Sequence, residues 1–228
     1  MATTPASAPL ATAGQSLALR VNEIFLSLQG ETTRSGLPTV FIRLSGCPLR
    51  CVYCDTAYAF HEGEKMQLDA ILKTVAAHRT PYVTVTGGEP LAQKNCLPLL
   101  ARLCDEGYDV SLETGGAMDI SGVDARVVKI LDLKTPGSGE QGRNRWENLQ
   151  YLTGHDQIKF VICNRADYDW ARDALHRRRL HERCEVLFSP SHAQLAPGEL
   201  ADWILADRLP VRLQIQLHKY LWGDVRGR

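Results

Sequence analysis

Three cysteines fall within eight residues, in the run Ser45-Gly46-Cys47-Pro48-Leu49-Arg50-Cys51-Val52-Tyr53-Cys54-Asp55-Thr56. The spacing is C-x-x-x-C-x-x-C, and the run follows a β-branched stretch ending at Leu44. The loop therefore leaves the C-terminal end of a strand, where ligand-binding groups gather in parallel α/β folds. Three thiolates so close together can wrap one face of a cubane iron–sulfur cluster and leave its fourth iron without a protein ligand. A reactive metal centre needs such an open position, and a structural one avoids it. Structural zinc is the alternative; it takes four ligands, and His61 is the residue that could complete a Cys₃His set. Cys96, Cys104, Cys163 and Cys184 fall on apolar helix faces or at strand ends and read as core residues.

A second candidate segment is Thr84-Val85-Thr86-Gly87-Gly88-Glu89-Pro90. Adjacent glycines let a backbone approach a ligand closely, and Glu89 adds an acceptor suited to an ammonium; a plain tight turn is the bland reading. Arg43 can take a carboxylate on two prongs or form a plain surface salt bridge, but it lies inside an apolar stretch, where an unpaired cation is costly. Glu113 ends a central strand candidate, where it could manage protons, hold a polar ligand or merely cap a loop. His218 fits a structural histidine better than a catalyst. The basic run His176-Arg177-Arg178-Arg179 fits a solvated helix C-terminus, where cations suit the macrodipole, better than an RNA contact.

The cysteine spacing, with aromatic Tyr53 before the last cysteine, resembles the radical S-adenosylmethionine (SAM) superfamily, and the Gly-Gly-Glu-Pro segment strengthens the likeness. That resemblance implies that Cys47, Cys51 and Cys54 hold a [4Fe-4S] cluster whose open iron chelates SAM. One electron would then cleave SAM to methionine and a 5′-deoxyadenosyl radical. Four further segments are similar to the 7-carboxy-7-deazaguanine synthase family of queuosine and other 7-deazapurine pathways. They are Glu23-Ile24-Phe25-Leu26-Ser27-Leu28-Gln29-Gly30-Glu31, Phe41-Ile42-Arg43-Leu44, Cys54-Asp55-Thr56 and Gln216-Leu217-His218-Lys219-Tyr220.

The family likeness implies a homodimer and the substrate 6-carboxy-5,6,7,8-tetrahydropterin. It also implies radical ring contraction with loss of ammonia, SAM as a regenerated cofactor, a supporting Mg²⁺ and a reducing donor such as flavodoxin. Carried onto this chain, Leu28, Gln29, Gly30, Arg43 and Thr86 meet substrate, Thr56 the Mg²⁺, and Tyr53, Asp55 and Gly88 SAM. Asp132, Leu133 and Lys134, then Ser189, Pro190, Ser191 and His192, occupy segments that meet SAM from later strands. Glu113 is the candidate catalytic residue. Some relatives end in a tail whose terminal carboxylate reaches the substrate, whereas this chain continues from Gly223 through Arg228. A glycyl-radical activase shares both motifs but has no need of Gln29, Arg43 and Thr56. A non-catalytic iron–sulfur or zinc module is the rival outside the enzymes.

The elements that must position these residues alternate. Strand candidates are Thr39–Leu44, Tyr82–Thr86, Asp109–Glu113, Val127–Leu133, Gln157–Ile162, Glu185–Phe188 and Val211–Ile215, several of them nearly continuous apolar runs. Leu68, Ile71, Leu72 and Val75 form one helical stripe, Leu99, Leu100 and Leu103 another, with further helices around Trp170 and Trp203. This predicts an α/β fold with a parallel sheet. The candidates stop short of the about 250 residues of a complete eight-unit barrel, and two Gly-rich connections lack a helical stripe, so a partial, shortened, open βα barrel is expected. Residues 1–19, rich in Ala, Thr, Pro and Ser, read as a flexible tail, and 20–228 as one domain with a C-terminal extension.

The 228 residues carry 26 basic and 26 acidic side chains, with 44% hydrophobic residues. Neutrality argues against a partner held by its nucleic-acid phosphates, and no stretch approaches the roughly 20 apolar residues of a membrane span. Seven cysteines, an odd number, with no export signal in view read as reduced thiols and a cytoplasmic location.

Overall fold

The computed structural model describes residues 17–227. Among these residues nine strands form one sheet: β1 (Ala18–Leu28), β2 (Pro38–Leu44), β3 (Glu64–Gln67), β4 (Tyr82–Gly87), β5 (Asp109–Thr114), β6 (Val128–Asp132), β7 (Gln157–Ile162), β8 (Glu185–Pro190) and β9 (Arg212–Leu213). Their order is β3-β1-β2-β4-β5-β6-β7-β8-β9. Every pairing from β2 to β9 is parallel, while β1 runs antiparallel to both of its neighbours. The order does not close, so the sheet is the expected partial barrel.

Helices α1 (Leu68–Ala77), α2 (Cys96–Asp105), α3 (Arg165–Arg177) and α4 (Pro197–Asp207) alternate with the strands, and α5 (Leu217–Trp222) follows the last one. The stripe expected on α1 is fully used: Leu68, Ile71, Leu72 and Val75 are all buried, each worth about 1.5–3 kcal/mol. Asn164 caps α3 by accepting from the Asp167 amide, and the basic run stands at its exposed end. Arg178 lies 3.7 Å over the Trp146 ring, and Arg179 pairs with Glu182.

Alternation within the strands explains how this scaffold builds a site. Val83, Val85, Val110 and Leu112 face the core beneath α1 and α2. Thr84, Thr86, Ser111 and Glu113, one residue out of phase, face the opposite, concave side. The apolar runs are thus half-polar by face.

Four expectations change. Strand β1 was not among the candidates, and it begins at Ala18 with Leu19 buried, so the ordered domain starts inside the stretch assigned to the tail; residues 1–16 lie outside the described residues. Its pattern is mostly half-buried, which blunts the period-two signal. The short, exposed β3 was also absent from the candidates. The last strand shrinks from Val211–Ile215 to Arg212–Leu213, an exposed edge. Cys96 and Cys184 are buried as expected, but Cys104 and Cys163 are only half-buried. Of the two irregular connections, residues 135–154 carry short 3₁₀ turns, among them Pro136–Ser138 and Trp146–Tyr151.

Candidate active site

A cavity of about 580 Å³ opens at the C-terminal ends of the parallel strands. Every residue that the family likeness assigns to the site lines it except Leu133, whose side chain is fully buried in the core with Leu131 and Phe160. His218, read as structural, lines it as well.

The cysteine loop is held by backbone contacts with the glycine segment. The Gly88 amide donates to Leu44 O (3.0 Å) and the Glu89 amide to Gly46 O (2.8 Å). A Cβ on Gly88 would stand 2.3 Å from Gly46 O, so only glycine permits this approach. Glu89 is not free to receive an ammonium. It is fully buried, and its carboxylate accepts from Thr114 Oγ1 (2.9 Å), Gly115 N (2.7 Å) and Leu91 N (3.0 Å), bracing the loop beneath the cavity. Burial pushes its carboxyl up against those donors.

The three thiols are half-buried and all line the cavity. Burial raises Cys47 and, opposed by Lys134, pushes Cys51 up to about 11, so loading a metal there must displace protons. Tetrahedral zinc would draw thiolate sulfurs to about 3.8 Å of one another, from its 2.3 Å bonds. Among the described residues the trio of ligating groups that comes within 4.8 Å is instead Glu31, Asp55 and His218. His61 is exposed and does not line the cavity. The three-thiolate donor set fits a cubane cluster, whose irons are spread over separate corners. Beside it, Tyr53 Oη and Asp132 Oδ1 are buried with no partner among the described residues. Lys134 donates to Asp132 Oδ2 (2.9 Å) and lies 5.9 Å over the Tyr53 ring, while Ser189 and Ser191 are buried at the same wall. These orphaned groups suit a polar cofactor such as SAM.

The opposite end is a connected polar floor. Gln29 Nε2 donates to Glu113 Oε1 (3.2 Å) and Thr84 Oγ1 (3.3 Å), Thr86 Oγ1 donates to Glu113 Oε2 (2.9 Å), and Thr84 meets Ser111 at 2.8 Å. Burial, with Glu31 nearby, raises the Glu113 carboxyl, opposed by Lys159 and these donors. Lys159 pairs with Glu31 Oε2. Burial alone would raise Glu31, but Lys159 and His218 outweigh it and hold the carboxyl well below the usual range. Gln216 Nε2 bridges Glu31 (3.1 Å) and Asp55 (3.2 Å), so the trio with His218 is already compensated by its own donors.

Arg43 sits between the two ends. Its Nε donates to Glu23 Oε1 (2.7 Å), and its guanidinium lies 5.8 Å over the Phe25 ring, which stacks on Phe41. That spends the Nε edge and leaves the two terminal nitrogens as a fork for a carboxylate. Thr56, the expected Mg²⁺ ligand, also lines the cavity, its hydroxyl 3.8 Å from Cys54 Sγ.

Sequence reasoning assigned no role to Glu23, Glu31 or Lys159. Lys159 had a legible signal: it is a lone cation inside the apolar strand Gln157–Ile162, as Arg43 is in its own.

Residues 41–179 match the model of the radical SAM superfamily. The 7-carboxy-7-deazaguanine synthase of Chlorobaculum tepidum is 44% identical over 213 residues, covering 92% of this chain and 97% of that protein. That of Koribacter versatilis is 43% identical, covering 90% and 97%. The chain belongs to the 7-carboxy-7-deazaguanine synthase family of the radical SAM superfamily. The crystal structure of QueE from Escherichia coli shares its fold, with a TM-score of 0.73 over 88% of this chain and 94% of that one at 21% identity.

Proposed function

We propose that this chain converts 6-carboxy-5,6,7,8-tetrahydropterin to 7-carboxy-7-deazaguanine with loss of ammonia. The observation that carries the reading is the shared cavity: three thiols at one end, an amide–carboxyl floor at the other, and an arginine fork between them. When bound, a [4Fe-4S] cluster on Cys47, Cys51 and Cys54 supplies, with SAM, a carbon-centred radical made by one-electron cleavage.

The chain's own residues do the rest. The Arg43 fork takes the C6 carboxylate and fixes the reacting carbon relative to the thiol end. Phe25, Leu28 and Phe41 give that end an apolar wall against the flat ring and exclude water. The Gln29 amide donates to Glu113 and fixes its carboxyl, which turns its remaining acceptor capacity toward the amino edge of the pterin. Glu113, its carboxyl raised by burial, keeps a proton further up the pH scale than an ordinary carboxyl and gives it to the departing amino nitrogen. Thr56 offers an oxygen to Mg²⁺, with substrate oxygens and water completing the shell. Tyr53, Asp55, Gly88, Asp132, Lys134 and the Ser189–His192 segment hold SAM. The enzyme works as a cytoplasmic homodimer reduced by a flavodoxin-like donor. Among the described residues no helix is long and apolar enough to cross a membrane.

The test is anaerobic incubation with SAM, reductant, Mg²⁺ and the carboxy-tetrahydropterin, followed by product mass analysis. The reading requires the deazaguanine, and label passing from substrate C6 into SAM and back. Absence of product, or stoichiometric consumption of SAM without exchange, overturns it.

A further inference from the structure

The C-terminal extension is not a loose end. After α5 the chain turns at Gly223, in the left-handed region at φ 68°, and Gly223–Gly227 run along the cavity mouth as part of its lining. One end is tied by Lys219, which reaches Asp224 at 2.8 Å and Asp55 at 3.6 Å. The other is tied by Arg226. Its Nη1 donates to Glu62 Oε2 (2.9 Å), its Nη2 to Asn22 Oδ1 (2.8 Å), and its Nε faces Glu23 Oε2 at 3.5 Å, with the guanidinium 4.1 Å over the Tyr58 ring.

Glu23 is the link to the site. The register of β1 against β2 slips between Val21 and Glu23, a bulge that puts Glu23 directly opposite Arg43 and turns Asn22 toward Arg226. Glu23 Oε1 accepts from Arg43 Nε (2.7 Å) and Tyr58 Oη (3.0 Å), while Oε2 is left to Arg226. A carboxylate held between two guanidinium groups in this way occupies only the Nε edge of Arg43. Without Arg226, the same carboxylate can swing onto both terminal nitrogens of Arg43, the bidentate geometry that arginine and carboxylate favour. It would then fill the fork.

We infer that Arg226 is a positioning residue which, by holding Glu23 aside, keeps the Arg43 fork open for a carboxylated ligand and couples that fork to the strap across the cavity mouth. The inference rests on the proposed reading of Arg43 as the carboxylate-binding residue.

The probe is 6-carboxypterin, the oxidised and fluorescent analogue, titrated into reconstituted protein against pterin lacking the carboxylate. Turnover and substrate-free SAM cleavage are measured in parallel. In Arg226→Ala the Kd for 6-carboxypterin and the KM for substrate should each rise about 10- to 100-fold, the cost of a lost charge-assisted hydrogen bond. Binding of plain pterin, substrate-free SAM cleavage and cluster absorbance should stay unchanged. Adding Glu23→Gln removes the competing charge but keeps an acceptor for Arg43 Nε, so the double variant should recover most of the affinity. A merely structural strap would show no such rescue.

Unchanged Kd in Arg226→Ala overturns the inference, as does equal loss of every activity, or a double variant no better than the single one. If the parent protein binds both pterins equally well, Arg43 is not a carboxylate fork, and the substrate reading falls together with the inference.

Discussion

Removing one partner of the Lys159–Glu31 pair tests the electrostatics of the cavity floor. Both side chains are largely buried, 10% and 19% exposed, and Glu113 lies close enough to feel the Glu31 charge. Lys159→Met keeps the length of the side chain and deletes the ammonium. Breaking a buried pair from one side costs about 3–5 kcal/mol, because the other charge is stranded. Here Glu31 keeps Gln216 and His218, so the low end of that range, about 3 kcal/mol, is expected. For a chain of this size that corresponds to a fall in Tm of about 6–12 °C. Lys159→Met with Glu31→Gln removes both charges and should return to within about 1 kcal/mol of the parent.

The same experiment has a pH signature. Glu31 lies near 2 in the fold against 4.5 in its ordinary state, so its contribution is full above pH 4.5 and is lost as pH falls toward 2. Lys159 is raised above 10.5, so its contribution is full below that value and is lost as pH climbs through its folded pKa. In Lys159→Met burial is opposed by less positive charge, and Glu31 takes up its proton further up the pH scale than in the parent. The Tm gap between parent and single variant should therefore be widest in the upper part of the window between these limits and narrow as pH falls. The assay is anaerobic thermal unfolding across that window. A drop of less than about 1 kcal/mol in Lys159→Met, or a double variant as damaged as the single one, would refute the reasoning.

Three further outcomes follow from the site. Cys51→Ala should abolish both the visible-absorbance cluster and SAM cleavage, whereas Cys163→Ala, on the half-buried thiol beside Asp167, should leave both intact by absorbance and methionine release. Glu113 has a raised folded pKa, so the native state holds its proton longer than the unfolded chain and the ionised carboxylate costs stability at neutral pH. Glu113→Gln should therefore raise the Tm, by about 2–4 °C for each kcal/mol recovered, while turnover collapses. Arg43→Lys keeps a charge but no fork, and calorimetry should show carboxylated-ligand binding weakened about 10- to 100-fold with SAM cleavage preserved.

How much of this was legible depended on chain distance. The cysteine loop, the glycine segment and the helical stripe of α1 are local patterns, and each was readable because its residues act together within one turn or one strand. The partners of Arg43 and Gln29 were not readable. Glu23 meets Arg43 only because a bulge sets the register of two antiparallel strands, and Gln29 meets Glu113 across 84 residues. The role of Glu89 went the wrong way for the same reason: its acceptors looked free until Thr114 and Gly115, one strand away, were found to occupy them.

The polar floor was hidden by the usual expectation for parallel sheets, in which strands covered on both faces read as unbroken apolar runs. In Tyr82–Gly87 and Asp109–Thr114 the hydroxyls and the carboxyl recur at every second residue, Thr84 with Thr86 and Ser111 with Glu113. A helix covers only one side of these strands; the other side walls a cavity, so its polar groups need one another and a ligand. The alternation that made these strands look imperfect as core is what makes them a site. Lys159 in β7 faces the same cavity, whereas Lys129, the lone cation of β6, turns to the other side and pairs with Asp156: a cation in an apolar strand marks the ligand side only where alternation puts it on the polar face.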